Sequence, residues 1–322
     1  MKNSIVFESS LARRFLEENR GQTLLIVVGI AIGVAVMVFL TALIDGPPFY
    51  LLALLATGIV VGFASGLLGV GGGFIMVPVQ IWALTSLGID PTIATRVALG
   101  TSLAVILPTA LSGCHGHYCQ GFVNWRSGII LGFSGLIGAM LGGTLAAHAP
   151  AYLLQKLFGI VVLAGALRML LFSSMLAPRT KINNRESVAK DVLLGFAVGV
   201  ISGLTGIGGG VILVPAMVIT MNFDIRQSVG TSSIAIAIIS IGGIISYAIN
   251  GMGIDGRPPY SLGYVNLLLW AILAGTSIPM AHIGARFSHQ VPVGQLTNAF
   301  IALMLCIGLK MIGAIDWLYS RL

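Results

Sequence analysis

G-F-A-S-G-L-L-G-V-G-G-G-F-I-M-V-P, from Gly62 to Pro78, returns later in the chain as G-V-I-S-G-L-T-G-I-G-G-G-V-I-L-V-P, from Gly199 to Pro215. Eleven of the 17 aligned positions are identical, including Gly62/Gly199, Gly66/Gly203, Gly69/Gly206, the triplets Gly71 to Gly73 and Gly208 to Gly210, and Pro78/Pro215. Each copy leaves an apolar stretch, runs into three consecutive glycines and resumes as an apolar run ending at proline. A membrane helix that must break in mid-bilayer is written this way, because glycine removes the side chain and frees backbone dipoles. Paired breaks in corresponding halves of a chain point to a transporter's binding site.

The surrounding composition agrees. The 322 residues are 57% hydrophobic and only 8% charged, with a mean hydropathy of +1.00; a soluble domain carries about 25% charged residues. Apolar runs of the roughly 20 residues needed to cross a bilayer recur from Thr23 onward. Their continuous apolarity favours helices over a barrel, whose strands alternate. The expected fold class is therefore an all-α polytopic membrane protein. The net charge of +7 falls mostly between the apolar runs and reads as topogenic charge rather than nucleic-acid binding. No Asp or Glu occurs between Asp90 and Glu186, which disfavours a cation carrier or proton pump and favours an anionic or neutral cargo. Three cysteines, Cys114, Cys119 and Cys306, make no disulfide framework.

Four segments follow. Residues 1–50 form an N-terminal extension with one expected transmembrane helix, 51–177 a first transporter repeat, 178–190 a basic cytoplasmic connector, and 191–322 a second repeat. The apolar run from Thr23 to Ile44 is longer than a signal-peptide core and lacks a small-residue cleavage site, so it reads as retained. The duplication extends beyond the glycines: Gly100-Thr101-Ser102 matches Gly230-Thr231-Ser232, and Gly121-Phe122-Val123-Asn124 matches Gly263-Tyr264-Val265-Asn266. About five hydrophobic spans per repeat is an odd number, so the repeats are expected to be inverted. If the short segments after the glycines are re-entrant, that parity argument weakens.

Candidate site residues come from the duplicated motifs. Glycine-loop amides and half-helix N-termini suit an anion, which nominates Gly71, Gly72, Gly73, Gly208, Gly209 and Gly210; close helix packing is the competing use of such glycines. A methyl at Gly72 or Gly209 is the expected probe between the two. Hydroxyls inside membrane helices commonly bond their own backbone, yet the recurrence of Gly-Thr-Ser nominates Thr101, Ser102, Thr231 and Ser232 as cargo ligands. His282, deep in a predicted span, is the candidate for ion coupling, against a packing role. Cys114-His115-Gly116-His117-Tyr118-Cys119 is expected in a loop at a span's end, has no second copy and fits no usual zinc spacing, so no metal is expected. No nucleophile or metalloprotease motif argues for an enzyme, and no cofactor is implied.

The two G-x-G-G-G-x-x-x-x-P stretches, the two Gly-Thr-Ser segments and G-F-V-N-W-R from Gly121 to Arg126 together resemble the TauE/SafE family of sulfite exporters over about residues 51 to 315. The resemblance implies a multi-pass carrier in the cytoplasmic (inner) membrane that moves small sulfur anions or organic acids, such as sulfite or sulfonates, without ATP. The implied mechanism is alternating access, driven by a proton or sodium gradient; other small organic anions, or a non-transporting anchor subunit, are the alternatives. A homodimer is compatible with it. C-H-G-H-Y-C-Q stands here where the family carries a strongly basic loop. Separately, R-R-F-L-E-E-N-R-G-Q-T-L-L, from Arg13 to Leu25, resembles the N-terminus of MacB/LolC-type ABC permeases, over residues 1 to 46 alone.

Overall fold

The computed structural model describes residues 49–69, 71–172, 188–221, 223–287 and 293–314. The expected helix within residues 23–44 and most of the connector lie outside them. Ten helices account for nearly all of the described chain. In the first half they are α1 (Phe49–Leu68), α2 (Gly73–Ser86), α3 (Pro91–Tyr118), α4 (Trp125–His148) and α5 (Ala151–Phe172). In the second they are α6 (Val188–Thr205), α7 (Gly210–Thr220), α8 (Ile225–Asn250), α9 (Leu267–Phe287) and α10 (Val293–Ile312). A two-stranded hairpin of β1 (Ser261–Leu262) and β2 (Val265–Asn266) precedes α9. Seven helices, α1, α3, α4, α5, α6, α8 and α9, are long and apolar enough to cross a membrane, whereas α2 and α7 are shorter. The protein is a polytopic, all-helical membrane protein.

The faces of α4 show why this composition assembles. Gly128, Gly132, Gly135 and Gly142 are buried against α8 and α6, while Phe133, Ile137, Leu141 and Leu145 form an exposed apolar stripe with a four-residue period. In water that stripe would be a liability; in lipid it is the solvent-facing side. The glycine stripe lets backbones approach, as helix association in a bilayer requires. A side chain at Gly199 would strike the backbone of Gly135, and one at Gly66 that of Ala281.

The register of these contacts fixes each helix direction. Gly58, Gly62 and Gly66 of α1 face Thr276, Ser277 and Ala281 of α9 in rising order, so the two run parallel. Trp270 Nε1 donates to Ala104 O at 3.0 Å, the Thr109 and Ser277 hydroxyls pair at 2.7 Å, and Ser112 Oγ donates to Ile278 O at 2.8 Å. Hence α3 also runs with α9. Gly100 faces Tyr247 while Gly230 faces His117, so α8 runs against α3. In turn α4 runs with α8 (Gly128 beside Ile234, Gly143 beside Ser246), and α6 runs with α4 (Gly195 beside Leu131, Gly203 beside Ala139). The first helix of the second half is therefore antiparallel to the first helix of the first.

The glycine breaks turn α2 and α7 into returning half-helices. From its start on what we call the first face, α1 carries Gly66 to the level of His117, whose Nε2 lies 2.8 Å from Gly66 O near the second face. The chain then doubles back: Gly71 lies beside Ile106 and Ile236 at mid-helix, and α2 descends to the short link before α3. The second half repeats this upside down, with Tyr247 Oη donating to Gly203 O at 2.9 Å near the first face. Because α2 undoes the crossing that α1 makes, net passage through the first half rests on α3, α4 and α5. The odd parity thus survives although α2 and α7 are not full spans.

Two boundaries differ from the sequence reading. α3 continues to Tyr118, so the Cys114 to Cys119 string is largely helical rather than a loop; Gly116 packs against Ala285, and that tertiary contact holds a helix where hydropathy falls. His282 sits near the C-terminal end of α9, half-buried and stacked on the exposed His115 with ring centroids 5.8 Å apart, rather than deep in the bilayer. A hydropathy window centres on the apolar residues and not on the helix ends.

Candidate functional site: two glycine loops crossing at the centre

The loops carry matching backbone conformations. In the first, φ is 64° at Gly69, 81° at Gly71 and 70° at Gly72; in the second it is 67° at Gly206, 87° at Gly208 and 80° at Gly209. An L side chain resists this left-handed region, so the triplets are required by conformation and not only by volume. Gly72 and Gly209 are the N-caps of α2 and α7 and offer no side chain to the first-turn N–H groups. The loops pass each other closely: a Cβ on Gly73 would lie 2.6 Å from Gly206 O and 2.8 Å from Ile207 Cα. Two helix N-termini, each with partial positive charge, thus enter the middle of the protein from opposite directions, with Gly210 opening α7 as Gly73 opens α2. Ile106 and Ile236, at equivalent positions of α3 and α8, pack against Gly71 and Gly208.

Each residue of the Gly-Thr-Ser segments holds the opposite half. Gly100 leaves room for Tyr264 O and Gly230 for Phe122 O, each 2.6 Å from where a Cβ would stand. Thr101 Oγ1 accepts from Asn266 N at 2.9 Å, and Thr231 Oγ1 from Asn124 N at 3.0 Å. Those asparagines in turn start the next helices, Asn124 Oδ1 accepting from Ser127 N and Asn266 Oδ1 from Leu269 N. Ser102 Oγ reaches Gly206 O at 2.7 Å and Ser232 Oγ reaches Gly69 O at 3.3 Å. Thr101, Ser102, Thr231 and Ser232 are all 0% exposed. In this arrangement the hydroxyls are engaged with backbone, two of them reaching the opposite glycine loop.

Charge at the two ends follows the same symmetry. Arg96, near the first face, lies over the Tyr264 ring at 5.7 Å and donates from Nη1 to Tyr264 Oη at 3.2 Å. Its equivalent Arg226, near the second face, lies over Phe122 at 5.9 Å. Each end thus presents a cation beside the hairpin or turn that anchors the other half. Among the described residues no group of three His, Cys, Asp or Glu is placed to hold a metal ion.

Several buried residues carry no sequence signal of their own. His117 and Tyr247 are equivalent positions that both bond the carbonyl of a glycine one turn before its loop, but unlike residues escape an identity search. Gln80 in α2 is 0% exposed. Asp191 is buried in the first turn of α6, where a carboxylate suits the helix dipole.

Comparison with known proteins gives this architecture a family. The family described as "Sulfite exporter TauE/SafE" matches residues 54–311. A "Probable membrane transporter protein" of Haemophilus influenzae is 28% identical over 263 residues, covering 81% of this chain and 98% of its own length. The "Probable membrane transporter protein YdhB" of Bacillus subtilis is 33% identical over 252 residues, 77% of this chain and 93% of its own. A similarly described protein of Methanocaldococcus jannaschii is 29% identical over 262 residues, 80% and 94% of the two chains. No solved structure matches. With its duplicated glycine breaks inside the matched region, the chain belongs to the TauE/SafE family and is a multi-pass membrane transporter.

Proposed function

We propose that the protein is a secondary transporter of small (organo)sulfur anions, such as sulfite or sulfonates, acting across the cytoplasmic membrane by alternating access. The observation that carries this reading is the crossing of two uncapped half-helix N-termini at the centre. Paired broken helices of opposite direction are the device by which secondary carriers expose anion-binding amides to either side. Gly71 to Gly73 and Gly208 to Gly210 contact the cargo. Ser102 and Ser232, with Thr101 and Thr231, hold the loops in the closed state and exchange backbone for cargo when one side opens. The arginines at the two ends concentrate anions at the mouths.

Orientation follows from charge. α5 ends and α6 begins on the second face, which also carries Arg126, Arg226 and Arg286, and the basic stretch 178–190 links those two helices in sequence. We place that face in the cytoplasm. For coupling to a proton or sodium gradient the candidate is His282, half-buried and stacked on His115.

Purified protein in sealed vesicles, loaded with sulfite and given an imposed pH or sodium gradient without ATP, tests the reading. Gradient-dependent efflux that sulfonates compete with is expected. Efflux no faster than from empty vesicles, while another small organic acid moves, would overturn the cargo assignment.

A further inference from the structure

One polar group at the centre is left without a purpose by the symmetric latches. Gln80 is 0% exposed, and among the described residues neither its Oε1 nor its Nε2 has a hydrogen-bonding partner. An amide buried without a partner forfeits its hydrogen bonds to water with nothing in return, so a native protein that keeps one has a reason. Gln80 lies seven residues beyond Gly73 in α2, about two turns and roughly 10 Å along the axis. That spacing puts both on one helix face, the face whose Gly73 touches Gly206 and Ile207 of the opposite loop. In the second half, Ser202 Oγ is likewise buried and unpartnered among the described residues. Ser202 stands one turn before Gly206, whose N–H donates to Ser202 O at 2.8 Å, and its Cβ lies 3.6 Å from the Cβ position of Gly209. Two buried orphan polar groups, one from each half, thus stand two turns and one turn along the chain from the glycines that cross.

We propose that Gln80, with Ser202 of the second half, is a cargo-contacting pair that determines specificity and gives the two halves unequal roles. The inference rests on the reading of the protein as a carrier of small oxyanions. A carboxamide supplies two N–H donors to oxyanion oxygens without a net charge; a buried Lys or Arg would cost more to insert and would hold an anion too tightly to release it. The second half has no such group: the position of α7 equivalent to Gln80 is Met217, also buried. The cargo therefore meets an amide on the side of the crossing toward the first face and a thioether toward the second.

The test uses the full chain in proteoliposomes, with sulfite as probe. Gln80→Met copies the second half and removes the orphan amide. It is expected to unfold at the parent's temperature or above, while sulfite flux at subsaturating concentration falls at least about tenfold; Ser202→Ala is expected to lose a smaller factor at unchanged stability. Parent-like flux in the stable Gln80→Met protein overturns the proposal. If the parent itself moves no sulfite, the cargo reading fails by itself, and accessibility tests the pair instead. In a background with Cys114, Cys119 and Cys306 replaced, Gln80→Cys is expected to react with a small water-soluble methanethiosulfonate at least about ten times faster than Met217→Cys. Equal rates at the two positions would contradict an asymmetric polar station.

Discussion

Ser102 of the first half holds Gly206 O at 2.7 Å, and its counterpart Ser232 holds Gly69 O at 3.3 Å. Thr101 and Thr231 anchor Asn266 and Asn124 within 0.1 Å of the same distance. Against these repeated contacts stand pairs that do not match: Gln80 and Met217, His117 and Tyr247, and an Asp90 whose carboxylate accepts from Thr92 N at 2.8 Å while Asp224 makes no cap bond. The repeated contacts cross from one half to the other, so each half is completed by its partner. The mismatched bonds of His117 and Tyr247 lie within a half. What is duplicated closes the structure on itself; what differs is free to give transport a direction.

The largest effect should come from the packing glycines. Gly66→Val and Gly199→Val drive a side chain into the Ala281 and Gly135 backbones, and an overpacked contact that neither backbone can relax costs at least about 3 kcal/mol. Both variants should lose the monodisperse peak in detergent size-exclusion chromatography. Survival of only one would mean that α1 against α9 and α6 against α4 are not equivalent interfaces.

Next come the loops. A methyl at Gly72 meets Val61 and one at Gly209 lies 2.7 Å from Val198 Cγ1, both on left-handed backbone, so alanine at these positions perturbs packing as well as any site. At Gly71 the nearest atom is Ile207 O at 3.4 Å, leaving room for the methyl and only the φ of 81° to resist it. Gly71→Ala is expected to retain most of the folded protein and to weaken anion binding about tenfold, equivalent to about 1.4 kcal/mol. Unchanged affinity in titration calorimetry would return the first loop to a packing role.

That relocation shows what the sequence could and could not disclose. The duplicated glycines, the inverted arrangement and the membrane class were legible because backbone breaks and apolar runs leave compositional traces. The partners of Gly-Thr-Ser were not, since a hydroxyl at Thr101 looks the same whether it faces cargo or the amide of Asn266. His282 was misplaced in depth because apolarity marks the middle of a helix better than its end. Gln80 was invisible: nothing in V-P-V-Q-I-W distinguishes a solvated glutamine from one sealed in the protein.

A smaller difference separates the latches. Ser102→Ala removes the shorter bond to a buried carbonyl and should lower stability by about 1 kcal/mol, whereas Ser232→Ala should cost less. Equal melting shifts in the two variants would erase the asymmetry in the loop contacts.

Smallest is the surface cap. Hydrogen bonds from Thr92 hold the Asp90 carboxyl below its usual range. A carboxyl depressed in the folded state contributes stability above its unfolded value and loses it as pH falls through the folded value. Asp90→Ala should therefore lower the melting temperature slightly at neutral pH and converge on the parent in acid, while Asp224→Ala changes little at either.

The opposed orientation of the halves is tested most directly by labelling the two turns that anchor them. Cys119, exposed after α3, and a cysteine introduced by Asp255→Cys in the segment after α8 lie on opposite faces. With the other native cysteines replaced, each single-cysteine protein is exposed to a membrane-impermeant maleimide in right-side-out and inverted vesicles. The account predicts that Cys119 labels only in inverted vesicles and Asp255→Cys only in right-side-out ones. Labelling of both positions from the same side would contradict it.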